Sequence, residues 1–230
     1  MANNNLLFLI LCILLVLSLL PGCDSPIRQK QDKHTIKLEE TEAISLFDGT
    51  SLEGWEGDLK FFRIEEEAIV AGNMGQDIPT NKFLCTETHF ENFELRLKVK
   101  FPTRNNNGGI QVRSKRIPNH HEVIGYQIDV GYAGGEPVWA SIYDESRRNT
   151  FIAKAPAEKI ATLLRPEEYN DYRIRCEGAH IQVWFNGESV VDYVEEDSTV
   201  DRSGIICVQI HSGPPSEAWY KDIQLLPIEP

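Results

Sequence analysis

Cationic residues are scarce in this chain. Its 23 Lys and Arg stand against 35 Asp and Glu, giving a net charge of -12 over 230 residues, and nowhere do they gather into a basic stripe. Binding a phosphate backbone takes clustered Lys and Arg, so nucleic acid is excluded as a partner. Cysteine is nearly as sparse. Of the five present, Cys12 falls in an apolar leader and Cys23 at its end, leaving Cys85, Cys176 and Cys207. These show no C-x-x-C spacing of a metal site, and three cannot all pair. Their apolar surroundings favour small buried hydrophobes, with one disulfide as the open alternative. Helical pattern is confined to Ala155–Leu164, where Pro156 suits a first turn. Repeats of fixed period and low-complexity segments are absent, so 43–230 reads as a single domain. Also missing is the E-x-D-x-x-E spacing that would set two glycosidase carboxylates on one strand, which argues against a conventional endoglucanase.

The front of the chain is of another kind. Leu6 to Leu20 is almost unbroken apolar sequence, closed by Leu20-Pro21-Gly22-Cys23. The run falls short of the ~20 residues of a membrane span and suits the apolar core of a secretory signal. Its closing tetrapeptide resembles a bacterial lipobox, although no Lys or Arg precedes the run and Pro21 sits where a small residue is usual. The resemblance implies a lipoprotein signal peptide over 1–22 and lipidation of Cys23; an uncleaved signal anchor is the alternative. Either one exports the chain to a bacterial cell envelope and tethers it to a membrane. Residues 23–42 are polar, charged and poor in aromatics, as a flexible tether requires.

From residue 43 onward the sequence takes on the pattern of strands. Phe93, Leu95, Leu97, Val99 and Phe101 alternate with Glu94, Arg96, Lys98 and Lys100, the period of a half-buried antiparallel strand. Phe61–Ala71 reads as two strands turning around Glu65–Glu67. Tyr172–Tyr193 reads as successive hairpin strands, with Asn186-Gly187 supplying a turn that needs positive φ. Ala218–Ile228 reads as a closing strand. Many short strands punctuated by Gly, Pro and Asn-Gly predict an all-β sandwich of jelly-roll type.

In three strands the polar positions stand out. Ile110 and Val112 oppose Gln111 and Arg113; Tyr126, Ile128 and Val130 oppose Gln127 and Asp129; Ile206, Val208 and Ile210 oppose Gln209 and His211. If the strands share a curved sheet, alternation puts a guanidinium, a carboxylate, an imidazole and amides on one surface. Asp is depleted in strands, so Asp129 asks for a reason.

FDGTSLEGW, NNNGGIQVRS, GYQIDVG, SIYDESRRN, YNDYRIRCEGAHIQVWFNG, GIICVQIHSG and WYKDIQL occur in this order over about Ile44 to Leu226. Together they resemble the landmarks of the 3-keto-disaccharide hydrolase family. The resemblance implies a concanavalin-like jelly roll of two antiparallel sheets with a concave sugar-binding face. It also implies an exported enzyme that cleaves 3-keto-disaccharides or glycosides. A non-catalytic carbohydrate-binding module of the envelope is the alternative on the same fold.

A ketone at C3 acidifies the proton on C2, so cleavage needs a base, a stabiliser of the enolate and an acid for the departing oxygen. An imidazole titrates near neutrality, which makes His211 a candidate base or acid. Asp129 and Glu145 are candidates to hold a proton, to act as base or to bind a metal. Arg113 and Arg147 are candidates for the enolate oxygen. The remaining landmark residues, Asn107, Gln127, Tyr143, Asp144, Arg148 and Gln209, are candidate substrate contacts. For DESRR the alternative is mutual neutralisation in an exposed loop. Trp139 and Tyr143 are candidate platforms for a sugar ring, with core packing as an equal reading of Trp139. A divalent metal ion is a candidate cofactor, but His120, His121 and Glu122 lack the second ligand set of a structural site. Two departures from the family pattern are Asp129 in place of Glu and Ser146 in place of Gly, the latter predicting a different backbone in the DESRR loop.

Overall fold

The computed structural model describes residues 42–104 and 106–229. Residues 1–41, with the predicted leader, Cys23 and most of the tether, lie outside the described residues. In chain order the elements are β1 (Ile44–Ser45), β2 (Trp55–Gly57), β3 (Phe62–Glu65), β4 (Ala68–Asn73), β5 (Lys82–Thr86), β6 (Phe93–Lys100), β7 (Asn107–Arg116), β8 (Val123–Ala133), β9 (Glu136–Pro137), β10 (Ile142–Glu145), β11 (Phe151–Ala153), α1 (Ala157–Leu163), β12 (Asn170–Glu177), β13 (His180–Phe185), β14 (Glu188–Val194), β15 (Ile205–Ile210) and β16 (Ser216–Pro227).

The strands form two antiparallel sheets. A back sheet runs β14-β13-β12-β6-β16-β4-β3, with β1 also on β16; a front sheet runs β11-β10-β8-β7-β15-β5-β2, with β9 also on β8. Between them lies the core. Phe93, Leu95, Leu97 and Val99 of β6, with Ile174, Val183 and Phe185, face Ile110, Val112, Ile128, Val130, Val208 and Ile210 of the front sheet. Each such side chain contributes about 1.5–3 kcal/mol by leaving water, which fixes which face of every strand points inward. The chain is a concanavalin-like jelly-roll sandwich. Trp139 belongs to this core, packed on Tyr132 and Phe185 rather than open to a ligand.

Two turns match their residues in different ways. Asn186 and Gly187 take φ of 48° and 88° at the β13–β14 hairpin, as that dipeptide does readily. The β3–β4 turn puts Glu66 and Glu67 at φ of 49° and 56°, a region that costs a residue with a Cβ about 1–2 kcal/mol.

The bend in the β7–β8 hairpin shapes the front face. Between Val112 and Lys115 the register slips, and Arg113 takes a φ of 50°. A Cβ on the facing Gly125 would lie 2.1 Å from the Ser114 hydroxyl oxygen, so only glycine permits the two strands to cross this closely. Beyond the bend the hairpin tip folds over the outer surface of the front sheet. Val123 there closes a small apolar cluster with Phe83, Cys85, Ile205 and Cys207. Cys85 and Cys207, cross-strand neighbours on β5 and β15, are disulfide-bonded, while Cys176 is a buried free thiol. The favoured expectation of three unpaired cysteines therefore holds for Cys176 alone.

Candidate functional site

On the outer face of the front sheet, strand register arranges the polar residues in rows. Cys207, Gln111, Gln127 and Tyr143 follow one another across β15, β7, β8 and β10. The next row runs Phe83, Gln209, Gly109 and Asp129. Gly109 leaves the space that Gln127 occupies, since a Cβ there would meet the Gln127 Cδ at 2.5 Å.

A chain of side-chain hydrogen bonds crosses these rows. The Ser114 hydroxyl donates to Gln111 Oε1 at 2.8 Å, Gln111 Nε2 to Gln127 Oε1 at 2.7 Å, and Gln127 Nε2 to Asp129 Oδ1 at 2.6 Å. All four residues are buried. Each amide has one orientation in which it both accepts and donates, so the chain holds one Asp129 oxygen and leaves the other for a proton or ligand. From the far side of the core, Tyr172 donates to the Asp129 carbonyl at 3.0 Å and Tyr220 to the Gln209 carbonyl at 2.6 Å. Two back-sheet hydroxyls thus pin the backbone of the site strands.

Asp129 opens into a cavity of about 240 Å³ that also takes in Asn107, Gln127, Tyr143, Glu145 and His211. Asn81, Ala133 and Phe151 complete its wall, with Phe151 edge-on to Tyr143 at 5.2 Å between ring centroids. Burial pushes the Asp129 carboxyl up to about 8; the Gln127 hydrogen bond opposes this and the charge of Glu145 adds to it. Burial likewise pushes Glu145 up to about 7, with Glu122 and Asp144 adding to the effect against hydrogen bonds from Ser146. Tyr143 is raised by burial and by the same carboxylates, so its hydroxyl keeps its proton at neutral pH. His211 Nδ1 lies 2.7 Å from the Ser212 carbonyl oxygen. A carbonyl only accepts, so Nδ1 carries hydrogen and the neutral ring keeps a lone pair on Nε2.

The structure therefore gathers His211, Asp129, Glu145, Asn107, Gln127 and Tyr143 at one cavity, and it separates the other candidates from them. Arg113, expected beside Gln111, is turned inward by the β7 bulge. Its guanidinium donates to the carbonyls of Glu91 at 2.8 Å and Gly178 at 2.7 Å and to Asn92, bridging to the back sheet. Asp144, Arg147 and Arg148 do not line the cavity either. Asp144 is fully buried on the opposite face of β10 from Tyr143 and Glu145, paired with Arg147 at 2.7 Å. Arg148 grips both oxygens of Glu195 at 2.8 Å, which holds that carboxyl down at about 2. The Arg148–Glu195 pair ties this loop to the end of β14 in the back sheet, whereas Arg147 and Arg148 both neutralise Asp144 within DESRR; the mutual neutralisation expected of this run is present, but around a buried Asp144 rather than in a fully exposed loop. Ser146 takes a φ of 56°, so the loop keeps the left-handed turn glycine would make, contrary to the expectation of a different backbone.

Gln209 lies next to Gly109, which separates it from Asp129, and is not on the cavity wall. It is fully buried, and among the described residues neither polar atom of its amide has a hydrogen-bond partner. Asn81, Phe151, Tyr172 and Tyr220 escaped sequence reasoning. Asn81 comes from a loop with no motif, and the tyrosines act from the other sheet. Among the described residues no three His, Cys, Asp or Glu side chains come together as a metal-ligand set. The groups that face the cavity are two carboxyls, an imidazole, a phenol and side-chain amides.

The sequence profile of a family described as the 3-keto-alpha-glucoside-1,2-lyase-like domain matches residues 42–226. No curated protein matches the chain. Two glycosyl hydrolase candidates from Parabacteroides distasonis ATCC 8503 superpose with TM-scores of 0.62 and 0.61 at 16% and 19% identity, covering 81% of this chain in both cases and 94% and 100% of theirs. A carbohydrate-binding module from Bacillus subtilis superposes with a TM-score of 0.56 at 12% identity, covering 75% of this chain and 95% of the module. Likenesses at such identities establish the fold alone, one found in proteins named for cleaving carbohydrate and for binding it.

Proposed function

The chain belongs to the 3-keto-alpha-glucoside-1,2-lyase-like family, and on that basis we propose that it cleaves glycosides already oxidised to a ketone at C3, by elimination across C1 and C2. One observation carries the reading: a buried carboxyl raised to about 8, Asp129, shares a cavity with an imidazole whose Nδ1 is engaged by the Ser212 carbonyl, which leaves Nε2 as the acceptor of its neutral form. That combination puts a proton donor and, on the neutral imidazole, a proton acceptor in one cavity, which elimination requires and simple binding does not.

His211 Nε2 takes the proton from C2, and the electron pair moves onto the C3 oxygen as an enolate. The Tyr143 hydroxyl donates to that oxygen, the part once expected of Arg113. The enolate then collapses, C1 and C2 become doubly bonded, and the C1–O bond breaks. Asp129 gives its proton to the departing oxygen, releasing a free alcohol and an unsaturated 3-keto sugar. Addition of water across the new double bond converts the same step into net hydrolysis. Burial keeps Asp129 protonated, with the charge of Glu145 adding to it, and Asn107 and Gln127 orient the ring hydroxyls.

We further propose that the protein works outside the cytoplasm, lipid-anchored through Cys23. The Cys85–Cys207 disulfide supports export, because such bonds persist where thiols are not kept reduced.

The test is release of alcohol from 3-keto-glycosides by the full-length protein, followed with the parent and with His211→Ala and Asp129→Asn. Each variant is expected to lose about 10²–10⁴-fold in kcat. Unchanged release by His211→Ala would remove the assigned base. No release from any 3-keto-glycoside, with saturable binding of sugar, would favour a carbohydrate-binding module.

A further inference from the structure

The outer face of the back sheet holds a hollow of about 400 Å³, on the opposite side of the sandwich from Asp129 and His211. Arg96, Arg173 and Trp184 stand in one row across β6, β12 and β13, with Lys98 and Asp171 in the next. Gly187 of the β13–β14 turn closes one side. On the other, a bulge in β16 lifts Asp222, at a φ of 53°, out of the ladder.

Most charges here are matched. Arg96 Nε donates to Glu94 at 2.7 Å, Lys98 meets Asp222 at 2.6 Å, and Asp171 meets Arg165 at 3.1 Å. Arg173 is left over: among the described residues it has neither a carboxylate partner nor a hydrogen-bond acceptor. It is nonetheless held in place, its Cζ 3.7 Å from the centroid of the Trp184 ring over which it lies. Cross-strand pairing brings the two side chains together, and the stack restrains an otherwise supple arginine.

Stacking covers a face of the guanidinium and spares its edge, where the N–H donors lie. A planar fork of donors without an acceptor matches the two oxygens of a carboxylate, which it binds bidentately. One unmatched cation balances one negative charge. Asp171 and Asp222 on the rim repel a second, which disfavours a dianion such as phosphate. The volume suits a whole small ligand, for which pockets hold roughly 300–1,000 Å³.

We propose that this hollow is a second binding site, for a small organic monocarboxylate, with Arg173 as the residue that grips it. The inference stands apart from the elimination reading, since no group of the front cavity takes part.

The experiment is calorimetric titration of the full-length parent, Arg173→Gln, Arg173→Lys and His211→Ala with glucuronate, benzoate, glucose and inorganic phosphate. Arg173 is half-buried on the outer face and makes no hydrogen bond within the protein, so neither substitution disturbs the core. The parent is expected to bind at least one of the two carboxylates saturably. Arg173→Gln should weaken that binding about tenfold or more, the scale of a lost charge-assisted hydrogen bond. Arg173→Lys, which keeps the charge without the fork, should weaken it less, and His211→Ala should bind like the parent. Glucuronate alone would mark a sugar acid, benzoate alone an apolar acid, and either supports the site. It would be overturned by a parent that binds neither carboxylate, by parental affinity in either Arg173 variant, or by loss of binding in His211→Ala. Glucose or phosphate bound as tightly as the carboxylates would overturn it too.

Discussion

Asp129 and Glu145 sit in one cavity, and the charge of Glu145 adds to the cost of ionising Asp129. Asp129 is assigned as proton donor, so kcat/KM should fall as pH rises through about 8, where its carboxyl ionises. Glu145 is one of the charges that raise Asp129. Glu145→Gln should therefore move this alkaline limb to lower pH, and a pH–rate profile with an unmoved limb would detach Glu145 from Asp129. A second consequence concerns stability. The unfolded chain releases the Asp129 proton near the ordinary 3.8, whereas the folded chain keeps it to about 8. Between those values the folded state binds more protons than the unfolded one, and stability declines as pH rises. Asn at 129 still accepts the Gln127 hydrogen bond and never ionises. Asp129→Asn should thus gain on the parent in urea midpoint from about pH 4 to about pH 8, with no such gain below that window.

Among the elements, the turns and bends are where alternation stops being informative. Ser146 holds a left-handed turn at a cost a glycine would not bear, so Ser146→Gly should raise the unfolding free energy by about 1 kcal/mol, read as a higher denaturation midpoint. Strand identity was legible because Phe93 to Phe101, Gln127 with Asp129, and Gln209 with His211 keep period two against a buried core. That regularity placed His211, Asp129 and Gln127 on one face without any motif. Arg113 follows the same period in sequence, yet the bulge between Val112 and Lys115 turns it inward. A bulge adds a residue without altering composition, so nothing in QVRSKR marks it. Arg148 resembled an exposed loop charge because its partner, Glu195, lies 47 residues away in the chain, and the burial of Asp144 under the Arg147 and Arg148 guanidiniums leaves no mark in DESRR. The pairing of Cys85 with Cys207 depends on the β5–β15 register, which three isolated cysteines do not encode.

Across the whole molecule, the sheets are joined by polar ties as well as by the core. Arg113 and Arg148 bridge the layers, Tyr172 and Tyr220 cross from back to front, and the disulfide locks two front strands that lie 122 residues apart in the chain. Closing so long a loop restricts the unfolded chain, so replacing both cysteines by Ala should lower the unfolding free energy by about 3 kcal/mol, as measured by chemical denaturation. Because Cys207 neighbours Gln111 and Gln209, a larger loss of kcat than of stability would indicate that the disulfide also shapes the cavity.

The pairing of β1 with β16 has one more outcome. Ile44 stands opposite Leu225 in antiparallel register, so the two ends of the folded domain leave it side by side, on the sheet away from the cavity. A short linker could splice them, and the strained Glu66–Glu67 turn is a natural place to open new ends. Such a circularly permuted chain should fold and keep the parent's kcat, since every front-sheet strand retains its neighbours.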